Sequence, residues 1–162
     1  PTCNIAGITS GYQGPGTKTV LPASASAKLD FRLVPEMDPG DIYEKLRGHL
    51  IKHGFSDVET MFMGGEYAYR TPMNSPWTRL GVETARDVYG RELVVTPTMA
   101  GTGPMYEIGK VLGVPIATSG VDHPSHRIHA PNENITVEDL LLGAKHAALI
   151  LERFGQHGLD EK

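Results

Sequence analysis

Strict alternation of apolar and polar residues from Ala25 to Leu33 is the feature that most constrains how this chain can fold. The odd-numbered positions carry alanine, leucine or phenylalanine, and the even-numbered positions carry serine, lysine, aspartate or arginine. Because successive side chains of a strand point to opposite faces of a sheet, this pattern predicts a strand with one buried face and one polar face. Pro35 is expected to end the strand, because proline has no N–H group for the hydrogen-bond ladder.

The rest of residues 1–66 is predicted to form a partial α+β sandwich. Residues 3–12 favour a strand that precedes the alternating one, and residues 57–63 favour another that follows it. Between the last two strands, Asp38 is expected to cap a helix that ends at Gly54. A sandwich of this kind usually has a second helix and a fourth strand, and we expect both to be missing from this chain.

Residues 67–162 alternate helical segments with short apolar segments. Three helices are predicted, and they begin at Ser75, Gly103 and Thr136. The last helix is expected to turn four apolar residues inward, namely Leu140, Ala144, Ala147 and Leu151. Residues 93–96 and 114–117 are predicted strands. Short, fully apolar strands are typical of a mostly parallel sheet covered on both faces, so we expect an α/β layer here.

Composition excludes several classes of function. Apolar residues make up 40% of the 162 residues and charged residues 21%, which is enough to bury a core. The net charge is -4 without long runs of one sign, so we expect neither a nucleic-acid partner nor a membrane-surface helix. No segment approaches the ~20 apolar residues of a membrane span. The single cysteine, Cys3, excludes an internal disulfide and fits a cytoplasmic protein.

Three histidines near the C-terminus, His123, His126 and His129, suggest a metal site. A self-contained three-histidine site would suit one face of a helix, but Pro124 and the surrounding loop composition argue against a helix there. Alternatively, all three are exposed loop histidines. Neutral imidazole is a good zinc ligand, so a single histidine of the three could also serve as a ligand.

Three segments together resemble one enzyme family. The stretch His-Ala-Pro-Asn-Glu-Asn-Ile at residues 129–135, followed at once by a predicted helix, resembles the last metal-ligand motif of the co-catalytic zinc metallopeptidases. That family includes aminoacylase, carnosinase-type dipeptidases, glutamate carboxypeptidase and succinyl-diaminopimelate desuccinylase. Residues 11–22 and 27–35 are similar to the lid-domain signature of its dipeptidase branch, and residues 100–104 resemble its glycine-rich substrate loop. The segments occur in family order.

The resemblance implies that the chain is the C-terminal portion of such an enzyme. Residues 1–66 would be a partial lid or dimerisation domain, and residues 67–162 the C-terminal segment of an α/β catalytic domain. His129 would bind one of two zinc ions. The family takes its other ligands, a His-x-Asp pair, a bridging aspartate and a Glu-Glu pair, from the N-terminal half, and this sequence has neither of the two pairs. We therefore expect at most one partial zinc site and no catalytic glutamate.

Two further positions are candidate substrate contacts. Arg32 lies on the polar face of the predicted strand, where a guanidinium can hold a carboxylate through two parallel hydrogen bonds. The resemblance implies the terminal carboxylate of a substrate, whereas the alternative is a cross-strand salt bridge, for instance with the neighbours of Asp30. Thr102 and Gly103 precede a predicted helix and could present a hydroxyl and backbone N–H groups to an anion, or simply cap that helix.

The leading hypothesis is a fragment of a zinc-dependent exopeptidase or amidohydrolase, closest to dipeptidases and inactive alone. Its substrate would be a small peptide or an N-acyl amino acid, and its partners a second copy of the chain and the missing N-terminal half. The alternative is a non-catalytic dimerisation or binding module, since an incomplete sheet has open edges that recruit strands.

Overall fold

The computed structural model describes residues 1–99 and 101–159, and the chain divides into two compact units between Tyr69 and Arg70. The described elements of the first unit are β1 Thr2–Ser10, β2 Ala25–Arg32 and α1 Pro39–Lys52. Those of the second unit are α2 Pro76–Tyr89, α3 Met105–Leu112 and α4 Val137–His157. The protein is therefore of mixed α/β class. None of the described helices is both long and apolar enough to cross a membrane.

Strands β1 and β2 pair antiparallel, with Ile5 opposite Leu29. A bulge between Ile5 and Gly7 adds one residue to β1, so that Ile8 lies opposite Ala27. Since residues 27 and 29 of one strand point to the same face, the bulge places Ile5 and Ile8 on that face as well. This apolar sheet face contains Cys3, Ile5, Ile8, Ala27, Leu29 and Phe31.

The apolar sheet face is only partly covered. Ile8 is 68% and Leu29 is 42% exposed, whereas Phe31 and Leu33 are half-buried. Helix α1, the described helix of the same unit, approaches neither strand. The buried face expected for β2 is therefore wrong for its first half, because a two-stranded sheet needs a second layer to bury a face.

Helix α1 begins as its sequence predicts. Asp38 is the N-cap, and its carboxylate accepts a hydrogen bond from the Asp41 N–H at 2.9 Å. Pro39 occupies the first turn and is buried. After α1, Gly54 adopts a left-handed φ of 84°, which a residue without Cβ adopts readily and which turns the chain out of the helix.

The strand predicted over residues 57–63 does not form. Instead, this segment is held near α1 by the hydroxyl of Tyr43, which donates to the Thr60 carbonyl at 3.1 Å, and by the Tyr43 ring, 5.2 Å from that of Phe62. A strand exists only through a ladder of backbone hydrogen bonds, and no neighbouring strand pairs with these residues in the described part of the chain.

In the second unit, α2 and α4 pack together. Trp77 of α2 meets Phe154 of α4 edge to face, with ring centroids 5.7 Å apart, and Arg153 of α4 forms an ion pair with Asp87 of α2. Thr136 caps α4 by accepting from the Asp139 N–H at 3.0 Å, as predicted. The start of α4 therefore follows a local sequence signal.

The strands predicted at 93–96 and 114–117 are absent, and residues 1–99 and 101–159 contain no parallel sheet. Ile116 shows what replaces a ladder: its N–H donates to Thr71 Oγ1 at 2.8 Å, and the Thr71 hydroxyl donates back to its carbonyl. A short apolar segment becomes a strand only beside a partner strand, which the described chain does not supply here.

The inward face predicted for α4 is also wrong. Leu140 is 53% and Leu151 is 70% exposed, and Ala144 and Ala147 are exposed as well. The side that faces α2 instead carries His146 and Arg153. Since α4 has apolar residues on more than one side, periodicity alone did not identify which side is buried.

Candidate functional site

His129 lies on the loop that leads into α4. We call residues 123–134 the His-loop. Three non-glycine residues of this loop adopt left-handed backbone angles: Arg127 at φ 57°, His129 at φ 59° and Asn132 at φ 64°. Such residues are uncommon and cluster at ligand sites, because surrounding contacts must hold them in place. The His129 side chain is exposed, so its imidazole is accessible.

Backbone hydrogen bonds fold the His-loop back on itself. The Asn134 N–H donates to the His126 carbonyl at 3.0 Å, and the Ala130 N–H donates to the Arg127 carbonyl at 2.9 Å. The first of these bonds spans His129, so the histidine lies in a closed turn. This closure is local to the second unit.

The three histidines have different surroundings. His123 Nε2 lies 3.0 Å from Asn134 Oδ1, and its ring centroid lies 6.2 Å from that of His126. His126 Nδ1 is buried without a hydrogen-bond partner in the described structure. Across residues 1–99 and 101–159, no group of three His, Cys, Asp or Glu side chains is placed to hold a metal ion. The three-histidine site is therefore not formed.

A zinc site needs three or four protein ligands. The described residues offer the exposed imidazole of His129, but no group of three potential ligands that includes it. These residues therefore fit one ligand position of a shared site and do not fit a complete zinc site.

Arg32 forms an ion pair within its own strand, whereas the alternative interpretation of this residue was a cross-strand salt bridge. Its Nε lies 2.9 Å from Asp30 Oδ2, and both side chains are about half exposed. Arg32 lies opposite Thr2, on the polar face of the sheet. The guanidinium thus already contacts a carboxylate at the surface, and its contact with a substrate stays a prediction.

Thr102 and Gly103 lead into α3, while the neighbouring Ala100 lies outside the described residues. The Met105 N–H donates to the Gly103 carbonyl at 2.8 Å, and Pro104 is the N-cap without a side-chain hydrogen bond. The predicted helix is present, although it begins at Met105 rather than Gly103. The substrate-binding role of these two residues stays a prediction.

Sequence reasoning missed His146, a buried side chain of the second unit with several hydrogen bonds. His146 is 3% exposed; its Nε2 lies 3.0 Å from the Gly81 carbonyl and 3.1 Å from Thr84 Oγ1. Its Nδ1 lies 3.1 Å from Ser119 Oγ, on the segment before the His-loop. A histidine among the apolar residues of α4 was the available signal, but its partners are distant in sequence.

A second missed pair lies in the first unit. The Tyr67 hydroxyl donates to the Asp38 carboxylate at 2.5 Å. This bond, followed by the hydrogen bond from the Asp41 N–H, lowers the pKa of Asp38 below its ordinary value. Asp38 therefore stays ionised at a more acidic pH and continues to cap α1.

The chain is similar to known proteins of one peptidase family. The Peptidase family M20/M25/M40 matches residues 5–153. The Beta-Ala-His dipeptidase of Mus musculus is 28% identical over 97% of this chain and 33% of its own length. The Cys-Gly metallodipeptidase DUG1 of Saccharomyces cerevisiae is 26% identical over 96% of this chain and 34% of its own length.

Two solved structures are similar to this chain over more than nine tenths of its length. The M20 family metallo-carboxypeptidase Sso-CP2 from Sulfolobus solfataricus is 43% identical, with a TM-score of 0.82 over 93% of this chain and 35% of that one. The di-peptidase Dug1p from Saccharomyces cerevisiae, 18% identical, shares the fold with a TM-score of 0.80 over 96% of this chain and 33% of that one. The chain spans about a third of the length of these relatives. Because the family match extends over most of the chain, the resemblance is confirmed, and the chain belongs to the Peptidase family M20/M25/M40.

Proposed function

We propose that this chain is part of a zinc-dependent exopeptidase or amidohydrolase that cleaves an amide bond next to a free carboxylate. The family match over residues 5–153 carries this proposal. The names of the relatives, which are two dipeptidases and a metallo-carboxypeptidase, support a small peptide or an N-acyl amino acid as substrate. A cytoplasmic location belongs to the same proposal, since the free thiol of Cys3 suits a reducing compartment.

In this proposal, residues 1–66 are a partial lid domain and residues 67–162 the end of a catalytic domain. His129 supplies one ligand to one of two zinc ions, and its exposure on a closed loop supports that role. Bound zinc would polarise a carbonyl and lower the pKa of a bound water. The other ligands and the catalytic base would come from the remaining part of the protein.

The substrate contacts are proposed separately for each unit. Arg32 would hold the carboxylate of the substrate, and its ion pair with Asp30 supports the required chemistry. Thr102 and Gly103 would line the pocket at the start of α3, because the N-terminus of a helix favours an anion.

Elemental analysis tests the ligand assignment. In the intact protein that contains this chain, His129→Ala should remove one zinc per subunit and most of the turnover. His157→Ala, at the exposed end of α4, is the matched control and should change neither. An unchanged zinc content in the His129 variant would refute the assignment.

The purified 162-residue chain should hydrolyse no dipeptide with zinc, cobalt or manganese added, because it offers one ligand position where three or four are needed.

A non-catalytic dimerisation or binding module is the second candidate. The exposed apolar sheet face favours it, and so do the outer edges of β1 and β2, which pair with no further strand in the described part of the chain. The two candidates differ in the coding sequence upstream, which must contain His-x-Asp and Glu-Glu pairs if the protein is an enzyme of this family.

A further inference from the structure

We infer that Asn134 and His123 form a side-chain clamp that fixes the His-loop and thereby positions His129. Both are positioning residues, since neither is proposed to touch zinc or substrate. The inference deepens the proposed function, on which the importance of His129 rests, but the clamp itself is argued from the geometry of the loop alone.

The orientation of the Asn134 amide follows from its neighbours. Its Nδ2 lies 2.9 Å from the Asn132 carbonyl and 3.4 Å from the Ser125 carbonyl. Carbonyl oxygens can only accept, so the amide nitrogen must face them and Oδ1 must face the opposite way. Oδ1 lies 3.0 Å from His123 Nε2, and because Oδ1 can only accept, His123 must carry a proton on Nε2.

The second nitrogen of His123 is also engaged. The Ser125 N–H donates to His123 Nδ1 at 3.3 Å, so Nδ1 must be unprotonated. Together the two bonds require a neutral ring with its proton on Nε2. His123 therefore has no lone pair left for a metal ion while the clamp is closed, and this separates its role from that of His129.

The clamp joins the two ends of the loop. His123 and Asn134 are separated by eleven positions in sequence, and His129 lies between them. The Asn134 backbone N–H adds a bond to the His126 carbonyl at 3.0 Å. The Asn134 side chain thus contacts residues on both sides of His129, and its backbone N–H contacts a residue before it.

The left-handed residues of the loop explain why a clamp is needed. Arg127, His129 and Asn132 each adopt a left-handed backbone conformation, which brings Cβ close to a backbone carbonyl oxygen. Such residues persist only where the surrounding structure fixes them. The Asn134 amide bonds directly to the carbonyl of one of them, Asn132. Without the clamp, we expect residues 127–132 to relax and His129 to leave its left-handed angle.

Nuclear magnetic resonance of the 162-residue chain tests this at about pH 8, where an ordinary histidine is neutral. His129 should show a strong intraresidue HN–Hα NOE, the mark of positive φ, and His123 should show a slowly exchanging proton on Nε2. Asn134→Ala should abolish both signals, His123→Ala should abolish the His129 signal, and the double variant should cause no further change at His129. His123→Gln, which can still donate to Asn134 Oδ1, should retain much of the His129 signal.

Asn74→Ala, at an exposed asparagine outside the loop, is the matched control and should leave His129 unchanged. Signals of α2 and α4 report whether the second unit is folded. His123→Ala removes fewer side-chain hydrogen bonds than Asn134→Ala. If the asparagine variant does not fold, the histidine variant tests whether the clamp holds His129 in its left-handed conformation. A left-handed His129 in a folded clamp variant would overturn the inference. Because no metal or substrate is added, that result would leave the proposed zinc ligand untouched, and a failure of His129 to bind zinc would leave the clamp untouched.

Discussion

The imidazole Nε2 of His146 on α4 lies 3.1 Å from the hydroxyl oxygen of Thr84 on α2. Nε2 also faces the Gly81 carbonyl at 3.0 Å, and since a carbonyl only accepts, Nε2 carries the proton. The Thr84 hydroxyl in turn donates to the Leu80 carbonyl at 2.8 Å. A chain of hydrogen bonds therefore runs from α4 into the backbone of α2.

Replacing this histidine should destabilise the second unit. His146→Ala would leave a cavity and remove one partner each of Thr84 and Ser119, so we expect a loss of about 2–4 kcal/mol in the free energy of unfolding. Urea denaturation followed by Trp77 fluorescence measures it. Lys145→Ala, one residue earlier and exposed, is the control and should stay within about 0.5 kcal/mol of the original. Equal midpoints for the two variants would contradict the structural role.

The apolar sheet face should cause self-association. Ile8 is 68% exposed on that face, whereas the adjacent Thr9 pairs with Ser26 on the polar face. We expect the chain to elute above its monomer mass of 17.5 kDa in size exclusion with light scattering. Ile8→Glu should shift the population toward monomer, because it places a charge on the apolar surface, and Thr9→Glu should not.

A sharp monomer peak for the original chain over a wide concentration range would show that the exposed face does not associate. An equal shift in both variants would show that charge alone, rather than the apolar face, controls association.

Asp38 should contribute a pH-dependent stability to the first unit. Its pKa is lowered from 3.8 in the folded state, by the Tyr67 hydroxyl first and the Asp41 N–H second. A carboxyl group whose pKa is lowered by folding stabilises the folded state at pH values above its pKa in the unfolded chain. That contribution is lost as the pH falls through its pKa in the folded chain. Tyr67→Phe should raise the Asp38 pKa toward 3.8, as measured by carbon-13 titration of its carboxyl group.

The stability difference between the original chain and Tyr67→Phe should therefore be present near neutral pH and shrink as the pH falls through the lowered Asp38 pKa, because the carboxyl then becomes protonated in both chains. Tyr12→Phe removes a hydroxyl that donates to the Pro15 carbonyl instead, so it should leave the Asp38 titration unchanged. An Asp38 pKa that is the same in the Tyr67 variant would show that this hydrogen bond is not the main cause.

Arg32→Ala should mainly weaken substrate binding in the intact protein. A charge-assisted pair is worth about 1.5–3 kcal/mol, so KM should rise roughly ten- to hundredfold with a smaller change in kcat. Steady-state kinetics on a dipeptide measures both. Lys28→Ala, on the same polar face, is the control, and a KM unchanged by the Arg32 variant would refute the carboxylate contact.

Local signals were enough to predict the helices. Asp38 and Thr136 cap α1 and α4 through their own side chains, and Gly90 ends α2 in the left-handed conformation that glycine adopts readily. These signals act within a few residues, so they can be recognised without knowing what packs against the helix.

Strands and buried faces depend on partners far away in sequence. The segments 57–63 and 114–117 have the composition of strands, but no ladder partner exists for them in the described chain. His146 is buried by residues more than sixty positions earlier, which periodicity along α4 cannot reveal. At the candidate site, the motif predicted His129, whereas its left-handed angle follows from contacts across the His-loop.

The bulge in β1 has a consequence for the length of the chain. Ile5 pairs with Leu29 and Gly7 pairs with Lys28, so Ala6 has no residue of its own opposite it. Removing Ala6 would therefore join two stretches of ladder that are already in register, whereas removing a residue elsewhere in β1 would shift one side of the strand by a place. We expect a variant lacking Ala6 to melt close to the original chain, and one lacking Thr9 to melt well below it. If so, Ala6 is a residue that evolution could add or remove without rebuilding the sheet.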